Sequence, residues 1–183
     1  MGKKLVSLVA VVGAALFLGS GLALAVTTTV SGGAIDQVRV VRSNTEVLDQ
    51  SPNSFSDITG ASTNISIPAT WSKGLILARF SAESRCVGAS GVRGWCSVRL
   101  VLVNRATGQQ VQLAPEDTDN SFAFDSTNSG AEGSQSWESH SMDRSLSVAP
   151  GNYTVKALFT PFDGANFFSV DDWSLTVERA RSN

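Results

Sequence analysis

The chain has 183 residues, 42% hydrophobic and 16% charged, with 14 Lys and Arg against 16 Asp and Glu for a formal net charge of −2. A mildly acidic chain without a basic run argues against nucleic acid as a partner and against adsorption on anionic lipid. One histidine and two cysteines cannot make a four-ligand zinc site without carboxylates.

The N-terminus reads as a secretory leader. Two lysines in "MGKK" precede the uncharged run "LVSLVAVVGAALFLG", and "SGLALA" ends in the small-x-small pattern Ala23-Leu24-Ala25. Cleavage after Ala25 is expected, with residues 1–25 as signal peptide. The alternative is retention as an anchor, because the uncharged stretch from Leu5 reaches Asp36. Residues 26–34, "VTTTVSGGA", form a Thr/Ser/Gly spacer, and residues 35–183 a single domain long enough to bury a core. No later segment is apolar enough to span a bilayer.

Period-two runs then follow one another. They are Asp36–Arg42, Thr63–Pro68, Gly74–Ala82, Cys96–Asn104, Ser121–Asp125, Arg144–Val148, Gly151–Phe162 and Phe167–Arg179. In the third, Ile76, Ala78 and Phe80 share a face. In the fourth, Cys96, Val98, Leu100 and Leu102 do. Phe122 and Phe124 point one way, as do Leu146 and Val148. Tyr153, Val155, Ala157 and Phe159 align, and so do Trp173, Leu175 and Val177. Such runs, punctuated by Gly, Pro, Asn, Asp and Ser, are the pattern of antiparallel strands, and no window shows helical spacing with caps. The expected fold is all-β: an antiparallel, jelly-roll-like β-sandwich of about eight strands, with Phe80, Leu100, Tyr153, Val155, Trp173 and Leu175 in its core.

Both cysteines fall within "SRCVGASGVRGWCSVRL". In an exported chain they are expected to pair. "ARFSAES" and "CSVRLVLVN" read as neighbouring strands of a hairpin. Gly88, Gly91 and Gly94 lie in its loop and give that loop little structure of its own. A Cys86–Cys96 bond would then pin the loop's base, contributing about 2.5–3 kcal/mol by the chain-entropy relation. The spacing is not that of a redox C-x-x-C pair.

Charge is uneven. Six basic residues and one acid lie between Lys73 and Arg105, whereas seven acids and no Lys or Arg lie between Ala106 and Asp143. The second stretch reads as a long polar loop. Within it "EDTDNS" begins like a calcium loop at Glu116, Asp117 and Asp119, but Phe122 and Asn128 stand where that motif needs Gly and Glu. The plainer reading is a solvated acidic turn. His140 would have to serve any Ser-His-Asp arrangement, and no G-x-S-x-G elbow is present, so a surface or hydrogen-bonded histidine is the expectation. Asp171 and Asp172, adjacent in a strand, face opposite sides and cannot jointly flank a scissile bond.

Of the four tryptophans, Trp173 reads as core, Trp71 is ambiguous, and Trp95 and Trp137 lie in or beside loops. The candidate ligand-binding residues are therefore Arg93, Trp95 and Trp137. Asn64-Ile-Ser66 and Asn152-Tyr-Thr154 match glycosylation acceptors.

The blocks "LILARFSAESRC…GWCSVRL", "SQSWESHSMDRS", "APGNYTVKALF" and "FFSVDDWSLTVERA" resemble exported bacterial proteins with a jelly-roll-like sandwich. That resemblance implies a secreted or cell-surface β-sandwich and supplies no catalytic residues. The functional expectation is a binding or interaction module for an extracellular protein or polysaccharide, not an enzyme. It needs no cofactor unless calcium joins the acidic loop. A structural, envelope-associated domain without a small ligand is the alternative, and a hydrolase ranks last.

Overall fold

The computed structural model describes residues 32–116, 122–131 and 136–182. The expected signal peptide, most of the expected spacer, and Asp117 and Asp119 of the expected acidic turn lie outside them. The described residues form ten strands: β1 Gly32–Ser43, β2 Val47–Asp49, β3 Ser56–Ile67, β4 Lys73–Gly88, β5 Trp95–Asn104, β6 Gln110–Gln112, β7 Ala123–Ser126, β8 Glu138–Val148, β9 Gly151–Phe162 and β10 Ala165–Ser182. The eight expected strands are present, and β2 and β6 are short additions of three residues each. Among the described residues no helix is long and apolar enough to cross a membrane.

Two antiparallel sheets face each other. Sheet A runs β1-β10-β4-β8, and β2 continues the β1 position along β10; sheet B runs β3-β9-β5-β6, and β7 shares the outer edge of β5 with β6. Counted as eight positions, successive strands wind between the two sheets in jelly-roll fashion. At one lateral edge Ala114 and Ser145 exchange backbone hydrogen bonds of 2.8 and 2.9 Å, which joins the β6 side of sheet B to β8 of sheet A.

The core lies between the sheets, where the period-two faces meet. Phe80, Leu100, Val155, Trp173 and Leu175 are buried there, and Tyr153 is 7% exposed with its hydroxyl donating to the Ala149 carbonyl at 2.9 Å. Phe159 and Phe168 meet across the layers with ring centroids 5.7 Å apart. Along β10 the inward set changes from Phe168 and Val170 to Trp173, Leu175 and Val177. A strict alternation would not allow this. A bulge between Asp171 and Ser174, with Asp172 at φ 43°, inserts the extra residue that switches faces. Phe122 does not share the inward direction of Phe124: it lies before β7, is 41% exposed, and carries the Arg144 guanidinium 4.4 Å from its ring.

The hairpin reading of the cysteine region is overturned. β4 belongs to sheet A and β5 to sheet B, so residues 89–94 cross from one layer to the other. The Cys86–Cys96 disulfide forms as expected, but it bridges the two sheets through the core, with both cysteines fully buried. Nor is the crossing loose. Gly91 N–H donates to Ser129 O at 2.9 Å, Thr127 N–H donates to Gly94 O at 3.0 Å, and the Thr127 hydroxyl reaches the Val92 and Gly94 carbonyls. Of its glycines only Gly91 has a positive φ, 77°, with open space around it. Gly94 is instead required by close approach, since a Cβ there would lie 2.6 Å from Ala165 N.

Two glycosylation-type motifs sit opposite one another on β3 and β9. Thr154 Oγ1 donates to Asn64 Oδ1 and Ser66 Oγ donates to Asn152 Oδ1, each at 2.7 Å.

Candidate functional site

Two places gather chemistry. The first is on the outer face of sheet B. Alternation puts Cys96 and Val98 inward on β5, so Trp95 and Arg99 project outward, and on β9 the same rule sends Thr160 and Phe162 outward beside them. The segment between β2 and β3 then folds across this face. Its anchor is Thr160, whose hydroxyl donates to Ser51 O at 3.0 Å and accepts from Ser54 N–H at 3.1 Å, while Asn53 N–H donates to Pro161 O at 2.9 Å. The fold-over brings Phe55 edge-on to Phe162, centroids 5.8 Å apart. Phe162 stacks in turn on Trp95 at 5.9 Å and 17°. The Arg99 guanidinium lies 3.9 Å from the Phe55 ring centre. Asn53, Phe55, Arg99 and Phe162 line a surface recess of about 410 Å³, with Trp95 extending the aromatic row.

The second place is the lateral edge where β7 of sheet B meets β8 of sheet A. Glu138 and His140 pair with Ser84 and Ala82 of β4, whose side chains face the core, so both turn to the inner side of the edge. Asp125 on β7 comes from the opposite sheet, in register with Cys96. His140 Nε2 is 3.3 Å from Glu138 Oε2 and 3.8 Å from Asp125 Oδ1. The Asp125 side chain is 3% exposed. Its Oδ2 accepts from Ser84 Oγ at 2.6 Å and its Oδ1 from Ser126 N–H at 2.7 Å. Burial pushes its carboxyl above the ordinary carboxylate range, although the Ser84 and Ser126 hydrogen bonds and His140 all favour the charged form. The His140 ring packs on Phe124, centroids 5.6 Å apart. The inter-sheet disulfide, two positions from Ser84, fixes the separation of the layers beside this cluster.

The residues expected to bind ligand are not brought together. Arg93 is exposed in the crossing loop, and Trp95 opens β5 and is half-buried on Phe162. Trp137 lies by the opposite sheet's outer face, 4.6 Å beneath the Arg85 guanidinium, which also pairs with Glu46 at 2.7 Å. Trp95 and Trp137 therefore belong to separate surfaces. Glu116 is exposed, and its two proposed calcium partners lie outside the described residues. Asp171 is half-buried and Asp172 exposed at the β10 bulge. Trp71 packs partly against the core beneath Arg179, 5.2 Å away.

No protein-family model matches the chain, and no curated protein matches it. Among solved structures the chain is similar to dimeric latent PorU from Porphyromonas gingivalis, at 14% identity and TM-score 0.41, over 82% of this chain and 14% of that one. It is similar to the infectious bursal disease virus Gx strain structure at 12% identity and TM-score 0.37, over 81% and 37%. It is also similar to the Clostridium thermocellum xylanase 10B structure with CBM22-1 and GH10 modules in complex with xylohexaose, at 13% identity and TM-score 0.30, over 80% and 26%. The chain thus spans well under half the length of each.

The residues that sequence reasoning missed are Asn53, Phe55, Arg99 and Phe162 on the outer face, and Asp125 and Glu138 beside His140. One signal was available for Glu138: it and His140 are two apart in a strand and so share a face. The others come together only when a loop folds over a sheet or when two sheet edges meet.

Proposed function

We propose that the chain is an exported binding module that holds a polysaccharide or other hydroxyl-rich ligand on the outer face of sheet B, and that its role is not catalytic. The observation that carries this reading is the recess lined by Asn53, Phe55, Arg99 and Phe162, with Trp95 stacked beside it; Phe162 is buried beneath its neighbours, so the aromatic surface offered to a ligand is that of the half-buried Trp95 and Phe55. Sugar C–H faces pack on aromatic rings, and a guanidinium and an amide supply hydrogen bonds to ring hydroxyls. Trp95 and Phe162 stand on sheet strands, and the segment carrying Phe55 is pinned by the Thr160 and Pro161 hydrogen bonds, so the row is ordered before ligand arrives, which lowers the ordering cost of binding. The buried disulfide supports an oxidising, extracytoplasmic compartment. A non-catalytic role is supported at the edge cluster, where the hydroxyl closest to the chemistry, that of Ser84, is fully buried and already donates to Asp125.

The test is a glycan array followed by calorimetry on the strongest binder, with wild type, Trp95→Ala and Asn53→Gly compared. The glycine variant keeps the left-handed backbone that Asn53 adopts at φ 60°. Both variants should lose at least tenfold in affinity while remaining folded. Absence of glycan binding, or affinity unchanged in both variants, would rule out this face.

A further inference from the structure

We propose that Asp125, Glu138 and His140 form a binding site for a divalent transition-metal ion of the zinc type, tying the β7 edge of sheet B to the β8 edge of sheet A. This goes beyond the outer-face reading and does not depend on it.

The geometry is that of a ligand set. One atom from each residue lies within 4.8 Å of the other two, and two of the separations are 3.3 and 3.8 Å. Zinc bonds to nitrogen and oxygen of about 2.0–2.2 Å at tetrahedral angles place neighbouring ligand atoms about 3.4 Å apart. The remaining adjustment is within reach of Glu138, whose side chain is 55% exposed and whose χ angles are free to move. His140 Nε2 is closed off from solvent and has no hydrogen-bond partner among the described residues, although two carboxylates stand beside it. A polar atom buried in that way is costly unless something satisfies it. A cation between the imidazole and the two carboxylates gives that nitrogen a partner and offsets the charge of both carboxylates.

The surroundings fit the same role. Ser84 and Ser126 donate to the two oxygens of Asp125, one each, which is how outer-sphere partners orient a ligating carboxylate. Phe124 packs on the imidazole ring and limits its rotation. The donor set selects the ion. One imidazole nitrogen with two carboxylates suits zinc or its neighbours, whereas calcium takes six to eight oxygens and magnesium keeps most of its waters. With three protein ligands and Glu138 on the solvent side, a fourth position is left for water or an external ligand.

The experiment uses the exported chain carrying no histidine tag, stripped with EDTA and titrated with Zn²⁺ by calorimetry and with Co²⁺ by visible absorption. Because the chain has a single histidine, the imidazole resonances of His140 report ligation without ambiguity. One Zn²⁺ should bind per chain, with a shift of those resonances and a four-coordinate Co²⁺ spectrum. At a hundredfold excess over Kd the melting temperature should rise by roughly 5–10 °C. Glu138→Gln and His140→Ala, checked as folded by circular dichroism, should abolish the Co²⁺ spectrum. Ser84→Ala should weaken binding by roughly 10–100-fold, as for loss of an outer-sphere partner. Three results would overturn the site: no saturable Zn²⁺ binding, binding unchanged in both ligand variants, or a response to calcium alone. A melting temperature that follows pH but not Zn²⁺ would also overturn it, by showing that a shared proton holds the cluster.

Discussion

Reducing the Cys86–Cys96 bond should weaken the whole sandwich without first freeing the loop that it spans. The two cysteines are 10 positions apart. The chain-entropy relation then gives a loss of about 9 cal/mol/K, or about 2.7 kcal/mol at 25 °C. For a domain of this size, each kcal/mol moves the melting temperature by roughly 2–4 °C, so reduction should lower it by roughly 5–11 °C. The double variant Cys86→Ala/Cys96→Ala should lose more. Both sulfurs are fully buried, and deleting each adds a cavity cost of order 1 kcal/mol, as for a buried methylene. The location of the damage follows from the inter-sheet geometry. Residues 89–94 stay tied by the Gly91–Ser129 hydrogen bond and by the Thr127 bonds to Val92 and Gly94, so protease resistance there should persist until the sandwich melts. The assay is limited proteolysis with and without reductant, read alongside near-ultraviolet circular dichroism of the tryptophans. A cut within 89–94 in reduced protein whose tryptophan signal is still native would refute this reasoning and restore a loosely stapled loop.

Trp173→Ala should destabilise by about 3–5 kcal/mol, because the indole is 3% exposed and stacks 6.5 Å from Phe80; denaturant midpoints checked against Trp137→Ala would contradict this if the two variants lost equally. Gly94→Ala should cost about 1–3 kcal/mol, since its Cβ would meet backbone at 2.6 Å, and an unchanged melting curve would show that the 163–165 turn can give way. The Ser169 hydroxyl and the Arg85 guanidinium hold the Glu46 carboxyl below its ordinary range. Its stabilising contribution is therefore present above the unfolded-state value and lost as pH falls through the lower folded-state value. Glu46→Gln should accordingly cost about 0.2–1 kcal/mol at pH 7, after screening by water, and nothing near pH 2; equal losses at both pH values in urea titrations would count against the pairing.

Period-two patterning was enough to mark eight strands and to assign Phe80, Leu100, Val155, Trp173 and Leu175 to the core, and the presence of just two cysteines in a chain with a leader-like N-terminus was enough to pair them. The patterning works because alternation is a local property: each strand must turn one apolar face inward wherever it sits. Which sheet a strand joins is not local. The glycine-containing segment 89–94 has the length of a hairpin loop, yet it crosses between layers, because β4 gains two long partners in β10 and β8 while β5 lies between β9 and the β6–β7 edge. The β10 bulge is equally hidden, since its register is set by β4 and β1 on either side. The candidate sites divide in the same way. Glu138 and His140 share a face by spacing alone, but Asp125 reaches them from the other sheet, and Phe55 reaches Phe162 and Arg99 only because a loop folds over sheet B. The sequence by itself determined the strands, their inward faces and the disulfide. The tertiary structure decided which edges and faces meet, because that choice depends on packing between residues far apart in the chain.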